Sequence, residues 1–212
     1  MDLTELSLES FINALSARES VPGGGSAAAS AGAMGVALLL MVAKYTDDPS
    51  KLKSIIDALE DEKNSLISLI NRDAEAFKNV IQAYKLPKNS DEEKKLREEK
   101  VQAALREAAD VPYDTLRTSA LAIKYIEMLE DDCKKNMISD LGVSASLLRS
   151  AIESAYLNVL INVPLIRDKE FAQALLKDAT SIKVSSIKIL EHVFMRVEDS
   201  LGSSSWIFDY WR

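Results

Sequence analysis

One cysteine, Cys133, and one histidine, His192, are all that the 212 residues offer in thiol and imidazole chemistry. An intrachain disulfide and a cysteine-based metal site are both excluded. A zinc deaminase centre needs a His/Cys ligand set beside a glutamate, and that set cannot be assembled. Catalysis must therefore draw on carboxylates, amides, hydroxyls, lysines or backbone dipoles, with no metal expected. Turn residues are also scarce. Only 7 Gly and 5 Pro occur, three of the glycines in one run, which leaves little room for a many-stranded β fold. A net charge of −7 disfavours non-specific attraction to nucleic acid. The acidic N-terminus, Met1-Asp2-Leu3-Thr4-Glu5, lacks the basic-then-apolar layout of a secretory signal, so a cytoplasmic protein is expected.

What the sequence does have is helical periodicity and, at 47% hydrophobic residues, enough apolar surface for one substantial core. Helices are expected over about 4–17, 26–45, 50–84, 90–129, 139–162 and 168–199. Ser90 with Glu93 forms a capping box at the fourth start, Ser139 is the expected N-cap of the fifth, and Val111-Pro112 is expected to kink or interrupt the fourth. The expectation is all-α: a single-domain bundle of long helices over residues 1–212. No charged residue falls between Glu19 and Lys44, a stretch long enough to span a bilayer. Its first half is Gly, Ala and Ser, which suits a buried central helix better, and no membrane partner is expected.

Polar residues break the apolar pattern in three places. In the third helix, Leu66, Ile70, Phe77, Val80 and Tyr84 form a stripe, and Asp73 takes its vacant step. A carboxylate there is either a proton-transfer group raised in pKa by burial or a structural partner of another helix. In the fifth helix, Asn158 and Asn162 lie four apart on one side, while Asp140 sits in the first turn, where the helix dipole favours its charge. Asp140 and Asn158 are roughly 27 Å apart along that helix, too far to serve one reactive centre. The run Gly23-Gly24-Gly25-Ser26 fits neither a phosphate loop, which needs a lysine, nor a dinucleotide fingerprint, which needs a preceding strand. An anion site at a helix N-terminus and a tight packing turn both remain open.

Several segments, taken in order, carry a resemblance. They are Pro22-Gly-Gly-Gly-Ser-Ala-Ala-Ala29 with Gly32-Ala-Met-Gly35, then Asp73-Ala-Glu-Ala-Phe77. Leu86-Pro-Lys-Asn89 follows with Glu92-Glu-Lys94 and Arg97, then Ser139-Asp140 and Asn158-Val-Leu-Ile-Asn162. Together the chain resembles the cyclodeaminase/cyclohydrolase family, which includes the C-terminal domain of formimidoyltransferase-cyclodeaminase and the stand-alone methenyltetrahydrofolate cyclohydrolases. One departure is the segment Asp132-Cys-Lys-Lys-Asn136, where the family often has Cys-Gly-Asn.

The resemblance implies an all-α homodimer or higher homo-oligomer, with a folate site between helices near a subunit interface. A tetrahydrofolate derivative is then the substrate, and no bound cofactor is expected. Asp73 stands where the family's proposed proton donor and acceptor lies. Gly23, Gly24, Gly25, Ser26, Asp140, Asn158 and Asn162 are the implied substrate-binding residues. The implied reaction closes 5-formiminotetrahydrofolate to the 5,10-methenyl cation with loss of ammonia. The alternatives are methenyltetrahydrofolate cyclohydrolase and a non-catalytic folate-binding scaffold.

Overall fold

The computed structural model describes residues 2–46, 48–130 and 133–202. Six helices carry the chain: α1 (Leu8–Ser16), α2 (Gly24–Lys44), α3 (Lys53–Lys85), α4 (Asp91–Glu130), α5 (Ile138–Asn162) and α6 (Lys169–Gly202). Single 3-10 turns precede α1, α3, α5 and α6, and no strand occurs among the described residues. Asp132 of the departing segment and the aromatic tail 206–212 lie outside the described residues.

The capping box forms as expected. Glu93 N–H donates to Ser90 Oγ at 3.2 Å, and the Ser90 N–H returns a bond to Glu93 Oε2 at 3.3 Å. At α5 the expectation needs correcting: Met137 is the N-cap, and Ser139 and Asp140 lie inside the first turn.

α2 packs against α3, α4 and α5. It runs antiparallel to α3, since Ser26 meets Asp73 while Gly32 faces Leu66. It is antiparallel to α5 too, with Gly24 beside Asn158 and Gly35 beside Leu148. At Gly35 a Cβ would meet Leu148 Cγ at 2.9 Å, so the two backbones approach closely only without one. Ser144 Oγ uses that approach to donate to the Gly35 carbonyl at 2.8 Å. The helix is long and apolar enough to cross a membrane. Here its apolar residues Val36, Leu39, Val42 and Ala43 are instead buried among three neighbours.

Two further expectations are changed. In α3, Leu66 and Ile70 are buried as the stripe requires, but Phe77 and Tyr84 are 46% and 47% exposed. The core positions in this half are the alanines Ala74, Ala76 and Ala83. In α4, Pro112 does not interrupt the helix, which continues from Asp91 to Glu130. Proline removes the N–H that would bond the Ala108 carbonyl. Asn162 Nδ2 on α5 supplies a replacement donor at 2.9 Å.

Candidate functional site

The glycine run is not a turn ahead of a helix. Gly23 is the N-cap, and Gly24, Gly25 and Ser26 are the first turn of α2 itself. No glycine in the described residues has a positive φ, so these residues are not needed for left-handed backbone. Their use is space. A Cβ on Gly25 would lie 1.9 Å from Asp73 Oδ1 and 2.4 Å from its Cγ. The carboxylate of α3 is seated directly on the missing side chain.

Asp73 is held there by Ser26. The Ser26 N–H donates to Asp73 Oδ2 at 2.8 Å, and Ser26 Oγ approaches both that oxygen and the Ile70 carbonyl at 3.0 Å. The anion that a helix N-terminus favours is thus a side chain of the protein itself. Burial pushes the Asp73 carboxyl above its ordinary value of 3.8, and the two Ser26 bonds oppose that rise without cancelling it. Both Ser26 bonds go to Oδ2, which leaves Oδ1 over Gly25 with no donor among the described residues. One end of the carboxylate is anchored and the other is available.

The asparagines close the opposite side of the same helix start. The Asn158 amide lies over Gly24, with Nδ2 and Oδ1 at 3.5 and 3.6 Å from where a Cβ would be. Its Nδ2 donates to the Ser154 carbonyl at 2.9 Å. Asn162 Nδ2 donates to the Asn158 carbonyl at 2.8 Å as well as to Ala108. Gly24, Gly25, Ser26, Asp73, Asn158 and Asn162 therefore meet at one end of the bundle. Asp140 does not join them. It lies in the first turn of α5, at the far end of the helix that carries Asn158 near its C-terminus.

A groove of about 720 Å³ opens beside this cluster, between the N-terminal segment and α3. Pro22, Asn71, Ala74 and Lys78 line it, so it touches the chain neighbours of Gly23 and Asp73 without including Asp73. Its size lies within the range of small-molecule sites. The N-terminal segment is tied across it, with the Leu3 N–H donating to Asn71 Oδ1 at 2.7 Å.

Two carboxyls escaped the sequence reading. Glu62 sits on the face of α3 that also carries Leu66, Leu69 and Asp73, so the same broken-stripe logic applied to it. Burial first, and then Asp61, push its carboxyl up to about 7 against the pull of Lys124. Asp110 on α4 is raised chiefly by burial and then by Asp114, while Arg106 and Arg72 oppose the shift. It borders a cavity of about 620 Å³ with Arg72, Arg106 and Arg167. No periodic feature of the α4 sequence marked it.

These elements define an all-helical bundle with a half-buried carboxylate seated on a glycine-rich helix start. A family model described as formiminotransferase-cyclodeaminase matches residues 7–181. Methenyltetrahydrofolate cyclohydrolase of Methylorubrum extorquens is 35% identical over 202 residues, covering 92% of this chain and 97% of that protein. Formimidoyltransferase-cyclodeaminase of Mus musculus is 33% identical over 192 residues, covering 87% of this chain but only 35% of that longer protein. The crystal structure of formiminotetrahydrofolate cyclodeaminase from Thermotoga maritima matches with a TM-score of 0.74 and 31% identity, covering 93% of this chain and 96% of that one. The chain belongs to the formiminotransferase-cyclodeaminase family, as the sequence resemblance implied.

Proposed function

We propose that the chain is a folate one-carbon enzyme that cyclises 5-formiminotetrahydrofolate to 5,10-methenyltetrahydrofolate with release of ammonia. The observation that carries this reading is the Asp73 carboxylate, anchored by Ser26 through Oδ2 and open at Oδ1. N10 of the folate attacks the formimino carbon and forms the new C–N bond. The proton leaving N10 passes to Oδ1. The formimino group enters protonated, as the amidinium, so its nitrogen carries two hydrogens. That nitrogen takes the third from Asp73, the C–N bond to it breaks, and it departs as ammonia, leaving the 5,10-methenyl cation. A raised carboxyl pKa suits both transfers, because the group must first accept and then donate. The ionised form also stabilises the cationic product. Gly24 and Asn158 offer backbone and amide groups for the folate beside Asp73, and no bound cofactor is required.

The nearly full-length match to a methenyltetrahydrofolate cyclohydrolase favours a second reading. There water attacks the same carbon of the methenyl ring, and Asp73 takes one of its protons. The C–N5 bond then breaks as the remaining hydroxyl proton passes to N5, leaving the 10-formyl folate. Supplying each folate to the purified protein decides between them. Methenyl absorbance that rises with stoichiometric ammonia from the formimino substrate supports the first. Loss of methenyl absorbance without any formimino turnover selects the second, and inertness toward both rejects enzyme status.

The protein works in this reading as a cytoplasmic homo-oligomer, a homodimer being the simplest form. Support comes from the outer faces of α2 and α5. Ala27, Ala31, Met34, Leu38, Met41 and Tyr45 repeat at alternating steps of four and three, as do Val143, Leu147, Ser150, Ser154, Leu157 and Ile161. That is heptad spacing with no charge in either row. Met34, Val143, Leu157 and Ile161 are 50%, 49%, 64% and 70% exposed, an apolar surface that a second copy would cover. Leu157 and Ile161 flank Asn158, so this interface would border the site.

A further inference from the structure

Resting on the folate reading above, we propose that Asn162 is a positioning residue. It grips the main-chain carbonyl that Pro112 leaves without a donor, and so holds Asn158 in place on Gly24. The proposal joins three observations that are separate in sequence. Pro112 lies inside α4, where the ring nitrogen carries no hydrogen, so the Ala108 carbonyl loses its bond within the helix. Ala108 is buried, and a buried carbonyl without a partner is costly. Asn162 Nδ2 spends one hydrogen on that carbonyl at 2.9 Å and the other on the Asn158 carbonyl at 2.8 Å. Both amide hydrogens are therefore committed to main chain, one on each helix.

The consequence is a clip across the seam of α4 and α5 at the last turn of α5. Asn158 sits one turn before Asn162, and its side chain lies against Gly24 of α2. Its own Nδ2 is already bonded to Ser154. The Asn158 amide oxygen accepts no bond among the described residues and is the acceptor for an N–H of a bound pterin ring, while the second Nδ2 hydrogen is uncommitted. Asn162 touches no such group and acts through Asn158. A proline in the middle of a forty-residue helix then has a use: it creates an acceptor that a side chain from α5 reaches. The following loop is separately fastened, since the Arg167 N–H donates to Gln102 Oε1 at 2.8 Å. That bond provides a control, because breaking it loosens the loop without releasing Asn158.

The test is a double-mutant cycle of Asn162→Ala and Pro112→Ala on the full chain, read by thermal unfolding and by steady-state kinetics. Alone, Asn162→Ala orphans the Ala108 carbonyl and should lower Tm by about 4 °C, taking a lost buried hydrogen bond at this chain length. In the Pro112→Ala background the helix supplies its own donor, and the same change should cost less than half as much. Equal Tm losses in both backgrounds overturn the clip. This arm needs no substrate, so it stands or falls independently of the folate reading, which the two-substrate assay judges.

In kinetics, Asn162→Ala should raise KM about tenfold, the value of one lost amide hydrogen bond, with kcat within twofold. Gln102→Ala should lower Tm and leave KM unchanged. A fall in kcat at constant KM, or an equal KM rise in Gln102→Ala, overturns the positioning role. Should Asn162→Ala fail to fold, Asn162→Ser replaces it, because serine can still bond the Asn158 carbonyl four residues back but cannot span to Ala108.

Discussion

A single methyl group added at Gly25 would collide with Asp73 Oδ1 at 1.9 Å, closer than any carbon and oxygen approach without a bond. Gly25→Ala must therefore displace either the carboxylate or the start of α2. We expect a stability loss of about 1–3 kcal/mol, the usual cost of overpacking, together with loss of turnover, checked by denaturant unfolding and the methenyl assay. Asp73→Asn is sterically matched and should fold, but it cannot cycle a proton. Its kcat should fall by about 10²–10⁴-fold, the range for a general acid–base group, with folate binding retained. Normal turnover by a folded Asp73→Asn protein rules out the proton-transfer assignment. Since burial raises the Asp73 carboxyl above 3.8, the acidic limb of kcat/KM should turn over above that value rather than at it. Asp73 was legible from sequence because a carboxylate occupied a step that periodicity reserves for the core. That Gly25 exists for Asp73 was not legible, since the two are far apart in the chain and only folding superimposes them.

At the scale of the helix, periodicity located all six elements to within a few residues, and the errors have physical causes. The first turn of α2 was missed because glycine is a poor helix former, and here its value is space. Phe77 and Tyr84 continue the stripe, but the buried positions in this half of α3 fall on Ala74, Ala76 and Ala83. Pro112 reads as a kink or an interruption because sequence shows the donor that is lost and not the Asn162 amide that replaces it. The α3–α4 seam carries a titratable weakness of its own at Glu62, whose Oε2 is buried without a hydrogen-bond partner among the described residues. Its folded pKa is about 7, above the ordinary 4.5, so the folded state holds that proton more tightly than the unfolded chain. Ionisation then counts against folding, and stability is lost as pH rises from 4.5 through 7. Glu62→Gln should remove that slope. Relative to the parent, its Tm should gain about 3 °C at pH 8 and nothing at pH 4, the shift of roughly 1 kcal/mol in a chain this long. Parallel Tm curves for the two proteins across that range would exclude a buried, raised Glu62.

For the whole molecule, the apolar rows on α2 and α5 are the property that a monomer does not explain. The α2 row could be read in the sequence only as part of an uncharged stretch, and the α5 row, interleaved with Arg149 and Glu153, not at all, since their exposure depends on which faces α3, α4 and α6 leave uncovered. Ile161→Asp places a charge on the most exposed position of the row. Sedimentation velocity should show the parent as an oligomer and the variant shifted to a smaller species, with its helical spectrum intact. An unchanged sedimentation coefficient would place the interface elsewhere.

The position of α2 in the chain also bears on how the protein is made. Its covering partners α3, α4 and α5 are all encoded after it, so the ribosome releases the most apolar helix first. At 5–20 residues per second, more than a hundred further residues take on the order of 10 s to follow. Until those helices follow, a segment as apolar as a membrane span lacks the partners that bury it in the finished fold. The small residues that allow helices to pack so closely around α2 also temper its appeal to lipid. The composition that shapes the finished core thus also protects the chain on its way out of the ribosome.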